Sequence, residues 1–298
     1  MTIRLGTRGS ALALAQAGWV AERLEGEVEV VPIRTSGDER RGGAREVSDK
    51  ARFVKEIDEA LIAGDIDLAV HSAKDVPAEL PRGVVILAVP ERADPRDALC
   101  GVPDLDALPE GAVVGTASLR RRAALLALRP DLDLRDLRGN VDTRLRRLAE
   151  GDFDAIVLAQ AGLDRLGRGD EGSPLDPARF VPAPGQGTLV IEARDADEST
   201  LAAARISDHA ATTSLYIERT IVRRLGATCH TPIGVHAVQE SEHSCVASAF
   251  VGLPDGSKWI RDELRGEDLT LGLHVTERLL SAGAAELLAA AEQAAPTR

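Results

Sequence analysis

One local pattern occurs twice in this chain and restricts the folds open to it. A short apolar run ends in a turn bearing glycine or a small hydroxyl residue, and the turn opens a helix with one apolar face. Ile3-Arg-Leu5, the turn Gly6-Thr-Arg-Gly9 and the N-cap Ser10 begin the first example, with Leu14, Trp19 and Leu24 on the helix behind them. Glu29 to Ile33 alternates as a second strand. A helix follows with Phe53, Ile57, Ala60 and Leu61 on one face, ends at Gly64, and gives way to the buried strand Leu68-Ala-Val70. The order β-α-β-α-β is the signature of a parallel sheet, to which Val84 to Val89 adds a strand.

The charged, proline-bearing segment Glu91-Arg-Ala-Asp-Pro-Arg-Asp97 reads as a crossing, because the same grammar restarts beyond it. Ala112-Val-Val-Gly115 is a strand, Ser118 an N-cap, and Leu119, Ala123 and Leu126 the inner face of the next helix. Arg138-Gly-Asn140 opens a helix with Val141, Leu145 and Leu148 inward, and Asp154-Ala-Ile-Val-Leu158 is the following strand. Phe180 to Gly187 then reads as a return crossing, after which Thr188 to Ala193 rejoins the first sheet. The expected fold is α/β: two periplasmic-binding-protein-like lobes joined by two crossings, closing on a ligand like a clamp. Helix from Leu201 to Leu225, three alternating segments within Val235 to Asp262, and a final helix from Leu269 to Gln293 predict a small α+β third domain with a three-stranded antiparallel sheet. The expected boundaries are 1–91 with 188–206 for lobe 1, 92–187 for lobe 2 and 207–298 for the C-terminal domain.

Acids outnumber bases 48 to 36, a net charge of −12, which argues against a nucleic-acid partner. Cys100, Cys229 and Cys245 have neither zinc-site spacing nor disulfide density, and no histidine and carboxylate grouping along the chain has metal-ligand spacing. No apolar run reaches membrane-spanning length, and the chain enters strand-like sequence at once, without a signal peptide. A cytoplasmic protein that binds no metal and no membrane is expected.

Against that acidic background, arginines gather at helix starts and strand ends: Arg8, Arg120 with Arg121, Arg138 with Arg144, and Arg194. Arg120 and Arg121 occupy a first helical turn, the wrong end of the dipole for cations, so an anion is expected between them. Guanidinium groups suit bidentate recognition of carboxylates, so the pattern predicts a small ligand with several carboxylates or phosphates. Meanwhile His71-Ser-Ala-Lys-Asp-Val-Pro77 places a base and an acid, Lys74 and Asp75, at the C-terminal end of a strand, where open α/β sheets bind ligands. His71 is expected to be structural rather than a general base.

These features together resemble the porphobilinogen deaminase (hydroxymethylbilane synthase) family. The resemblance runs essentially end to end and rests on Thr7-Arg-Gly-Ser10, Phe53-Val-Lys-Glu56, Val70-His-Ser-Ala-Lys-Asp-Val-Pro77, Asp94-Pro-Arg-Asp97, Gly115-Thr-Ala-Ser-Leu-Arg-Arg121, Leu137-Arg-Gly-Asn140, Gly185-Gln-Gly187 and Cys229 before Pro232-Ile-Gly234. It implies a transferase that joins four porphobilinogen molecules into a linear tetrapyrrole, releasing ammonia at each addition, on a dipyrromethane cofactor held by a thioether to Cys229. It makes Asp75 the catalytic carboxylate, because one anion beside the pyrrole N–H groups stabilises the cations that precede and follow bond formation. By the same resemblance Lys74, Ser118, Arg120, Arg121 and Arg144 hold the cofactor, and Arg8, Ser10, Arg138, Arg144 and Arg165 face the substrate. Lys50 and Phe53 belong to a lid, and the enzyme is expected to be a monomer.

Two departures from the family's pattern stand out. The usual Gly-Gly before the cysteine is Ala227-Thr228, which would strain a loop that needs positive φ there. The glycine-rich lid is Ser48-Asp-Lys-Ala-Arg-Phe53, which predicts a stiffer lid. The competing expectation is a non-catalytic cytosolic clamp that only binds a polycarboxylate or oxyanion, which has no use for Asp75 or Cys229.

Overall fold

A computed structural model describes residues 2–35, 54–228 and 231–294. The chain divides into two compact units, Met1–Ala93 with Thr188–Thr212, and Asp94–Gly187 with Thr213–Thr297.

In the first unit, β1 (Ile3–Arg8), β2 (Val28–Ile33) and β3 (Leu68–Ser72) form the parallel half of a five-stranded sheet. β4 (Val84–Ala88) closes it through β10 (Leu189–Arg194), which runs antiparallel to both β3 and β4, in the order β2-β1-β3-β10-β4. Every second residue of β3 therefore faces one layer. Leu68 and Val70 pack with Ala17 and Val20 of α1 (Ala11–Ala21), whereas Ala69 packs with Ile57 and Leu61 of α2 (Lys55–Ala63). Burying Ile57 or Leu61 contributes about 1.5–3 kcal/mol each, which fixes α2 over that face.

The second unit repeats this plan without a sequence repeat. Parallel β6 (Val113–Gly115), β7 (Asp133–Arg135) and β8 (Ala155–Ala159) take the order β7-β6-β8, and antiparallel β5 (Asp97–Cys100) and then β9 (Ser173–Pro174) complete the sheet. In both sheets the antiparallel strand beside the parallel trio comes directly after a crossing, β5 after the first and β10 after the return. β5 corrects the reading of Asp97 as part of a charged linker: it begins a strand buried along its whole length. Helices α3 (Leu119–Leu128), α4 (Val141–Ala149) and α5 (Gln160–Arg165) cover the sheet, Leu125 meeting Val114 and Val157, and Leu145 and Leu163 meeting Ile156 and Leu158.

The remaining sheet is the expected three-stranded antiparallel meander, β11 (Ile233–Ser241), β12 (Ser244–Gly252) and β13 (Trp259–Gly266). Its inner face packs on α6 (His209–Arg224) and on α7 (Asp268–Ser281) and α8 (Ala284–Ala294). Two expected helices are shorter than the sequence suggests. The one from Leu201 is a 3-10 segment, Glu198–Ile206, separated from α6 by Ser207 and Asp208, and the last helix breaks at Ala282 and Gly283, whose φ of 94° is left-handed.

Candidate active site

Asp75 ends a short 3-10 turn, Ala73–Asp75, at the C-terminal end of β3, with Val76 N–H donating to the Ala73 carbonyl at 3.3 Å. The turn is pinned on both flanks. Ala73 N–H donates to Thr188 O at 3.0 Å, and Gln16 Nε2 donates to Ser72 Oγ at 2.9 Å. Lys74 and Asp75 stay half-buried, within reach of a ligand. Arg8 lies at the end of neighbouring β1, and Ser10 caps α1 by accepting from Ala13 N–H at 3.3 Å.

Beneath this turn lies a polar group that spacing along the chain does not reveal. Asp58 of α2, His71 of β3 and Glu192 of β10 are all buried, and their side-chain ligand atoms lie within 4.8 Å of one another. His71 Nε2 is 3.6 Å from Glu192 Oε2. Burial pushes the imidazole pKa down to about 4, against the opposing charge of Asp75, so His71 is neutral at ordinary pH. Burial likewise raises the Asp58 carboxyl to about 6, although a hydrogen bond with Glu192 offsets part of the shift. Glu192 was readable as an acid inside the apolar run Leu189-Val-Ile-Glu-Ala193, which demands an internal partner.

In the second unit, the anion expected between Arg120 and Arg121 is supplied by the chain itself. Asp97 is fully buried and accepts from Arg120 Nη1 at 2.7 Å, Arg121 Nε at 2.9 Å and Gln186 Nε2 at 3.1 Å. Burial alone would raise its pKa, but the two guanidinium charges hold it far below the usual carboxylate range. Gln186 also donates to Pro95 O at 2.8 Å, which ties the return crossing to the first. That turn needs glycine: Gly185 and Gly187 have φ of 72° and 84°. Two buried guanidinium groups against one carboxylate leave a net positive charge, and Arg120 Nε is buried without a hydrogen-bond partner. Arg120 and Arg121 are only 5% and 6% exposed and also donate to the Val181 and Val157 carbonyls, so a carboxylate-bearing group such as a dipyrromethane would meet their surplus positive charge rather than free N–H groups.

The other arginines divide. Arg165 donates to Gly187 O at 2.8 Å, and burial lowers its pKa to about 10. Arg144 Nε donates to Gly139 O at 2.7 Å, while Arg138 is exposed, 3.6 Å from Asp136. Ser118 caps α3, accepting from Arg121 N–H at 3.4 Å. Arg194 is engaged by the chain itself. It donates to the carbonyls of Leu61 and Ile66 at 2.8 Å and pairs with Asp197, so it closes the end of α2.

Cys229, Lys50 and Phe53 lie outside the described residues. The two residues before the cysteine do not carry the expected strain: Ala196 is the only described residue other than glycine with positive φ, so Ala227 and Thr228 adopt ordinary backbone. Thr228 N–H donates to Thr231 Oγ1 at 2.7 Å across the loop. Cys100 and Cys245 are buried, and burial pushes the Cys100 thiol up to about 11, which makes it inert. Glu218 of α6, unnoticed in the sequence, accepts the N–H groups of Gly185 at 2.6 Å and Ala237 at 2.8 Å.

Comparison with known proteins agrees across the chain. The family model described as "Porphobilinogen deaminase, dipyromethane cofactor binding domain" matches residues 3–202, and that described as "Porphobilinogen deaminase, C-terminal domain" matches residues 212–281. The chain is 45% identical over 297 residues to a porphobilinogen deaminase of Brevibacillus brevis, covering 96% of each chain. It is 47% identical over 299 residues to that of Thermus thermophilus, covering 96% of this chain and 97% of the other. Among solved structures, the periplasmic aliphatic sulphonate binding protein of Escherichia coli is 15% identical with a TM-score of 0.40, covering 74% of this chain and 70% of the other. A periplasmic substrate-binding protein of Coxiella burnetii is 14% identical with a TM-score of 0.41, covering 68% and 89%.

Proposed function

The chain belongs to the porphobilinogen deaminase family, and on that premise we propose that it condenses four porphobilinogen molecules head to tail into hydroxymethylbilane, releasing ammonia at each step. The family's cofactor is a dipyrromethane attached to a cysteine, and Cys229 is the residue we assign as its anchor. When bound, that group supplies the terminal pyrrole carbon from which the product is built. Lys74, Ser118, Arg120, Arg121 and Arg144 hold its carboxylates, and Arg8, Ser10, Arg138, Arg144 and Arg165 receive those of the substrate.

Asp75 carries the chemistry. Loss of ammonia from porphobilinogen leaves a cationic azafulvene, and a carboxylate beside the pyrrole N–H groups lowers the energy of that cation and accepts the proton released after the new bond forms. The arginines neutralise the acetate and propionate arms, which orients the reacting carbons. The observation that carries this assignment is the placement of Asp75 at the end of β3, in a turn fixed by Gln16 and Thr188 contacts on both sides. A binding-only clamp is disfavoured because it requires neither Asp75 nor a cysteine-borne cofactor.

We further assign residues 1–91 with 188–206, 92–187 and 207–298 to three domains, and infer a cytoplasmic monomer that binds no nucleic acid. No helix among the described residues is long and apolar enough to cross a membrane. The deciding measurement is incubation of the purified full chain with porphobilinogen, following ammonia release and intact mass. Ammonia release with covalently added pyrrole mass is expected, and a protein that stays at the bare polypeptide mass and releases no ammonia would overturn the reading.

A further inference from the structure

The buried group under the Asp75 turn is unused by the chemistry described above. Glu192 is fully inaccessible on β10, an interior strand of a five-stranded sheet, and Asp58 of α2 approaches it. Their carboxylate oxygens lie within 4.8 Å of each other, and as ionised groups both are acceptors only, so a hydrogen bond between them requires that one hold a proton. Two carboxylates in one dry site cannot both ionise without a large penalty. The backbone also departs from regular pairing here. The register between β10 and β4 shifts between Ile191 and Glu192, and bulges of this kind redirect side chains. Glu192 also approaches His71, which precedes Asp75 by four residues.

We propose that Glu192 and Asp58 hold a single proton between them and, through His71, position the turn that carries Asp75. Glu192 is the ionised member, because it faces His71, and Asp58 is the protonated one. Both are positioning residues: neither reaches the substrate. The charges around them are Glu59 on α2, Asp75 after β3 and Arg8 at the end of β1, while Arg194 on β10 is engaged with the Leu61 and Ile66 carbonyls. The kinetic half of the proposal rests on Asp75 being the catalytic carboxylate, whereas the proton-holding half stands without it.

Two measurements on the full-length holoenzyme test it. First, urea midpoints of the wild type and Asp58→Asn are compared at about pH 4.5 and about pH 7.5; a proton held by the pair makes the wild type lose stability relative to the variant as pH rises. A difference that does not change with pH overturns the shared proton, as does stoichiometric Zn²⁺ uptake by the wild type that Glu192→Gln abolishes. Second, Glu192→Gln should lower kcat about tenfold with KM nearly constant, whereas Asp58→Asn, which still donates to Glu192, should lower it less than about threefold. Equal losses in the two variants, or none in either, overturn the positioning role. Should Glu192→Gln fail to fold, the pH comparison with Asp58→Asn still decides the proton.

Discussion

Arg120 grips Asp97 with both terminal nitrogens, Nη1 to Oδ2 at 2.7 Å and Nη2 to Oδ1 at 3.0 Å, with Asp97 fully buried and Arg120 nearly so. A helix that starts with two arginines is tolerable only because β5 delivers a carboxylate to them. Asp97→Ala leaves two guanidinium groups buried without their anion, and should destabilise the protein by about 3–5 kcal/mol in denaturant titrations. The pH dependence has a definite sign. Because the folded-state pKa of Asp97 is depressed, its contribution is fully present above the unfolded value and fades as pH falls below about 4. Asp97→Asn should therefore flatten the acid limb of the stability profile, and an unchanged limb would show that the pair contributes nothing there.

The same strand shows where sequence reasoning stops. Strands and helices with a period of 2 or 3.6, such as β3 and α2, were legible because burial on one face leaves a pattern in the residues themselves. β5 was not, because Asp97 looks like linker charge until Arg120, Arg121 and Gln186 converge on it from residues far along the chain. Arg194 is the opposite case. Its position at a strand end matches the arginines proposed to bind ligand, and carbonyls from Leu61 and Ile66 engage it. Asp75 and Lys74 were legible because a strand followed by a proline-terminated turn fixes where side chains emerge.

Asp75→Ala removes the only group in the turn able to stabilise a pyrrole cation. Turnover should fall by at least about 10²–10³. Since Asp75 is half-buried and the turn is held by backbone and Gln16 contacts, the circular dichroism spectrum and melting temperature should be nearly those of the wild type. Near-normal ammonia release by the folded variant would remove Asp75 from the mechanism.

Cys229→Ser should yield a folded protein whose intact mass stays at that of the polypeptide. The substitution changes sulfur for oxygen and leaves untouched the hydrogen bond from Thr228 N–H to Thr231 Oγ1, so the flanking residues should keep their fold. Cys100→Ser and Cys245→Ser serve as controls, because both thiols are buried and neither should change the covalent load. Added pyrrole mass on Cys229→Ser would place the anchor elsewhere.

Gly234 explains the last residue of the Pro232-Ile-Gly234 motif. A methyl group at this position would sit 2.6 Å from Val181 O and 3.1 Å from Pro182 O, both backbone atoms of the return crossing. The approach is that close because Val235 N–H donates to Pro182 O at 2.9 Å, stitching the crossing to β11. Neither carbonyl can retreat without breaking that bond or moving Phe180 and Val181 out of the core they share with Val114 and Leu125. Gly234→Ala should therefore cost about 1–3 kcal/mol, measured as a lowered urea midpoint with an unchanged slope. A stability equal to wild type would mean that the crossing is free to move away from the sheet.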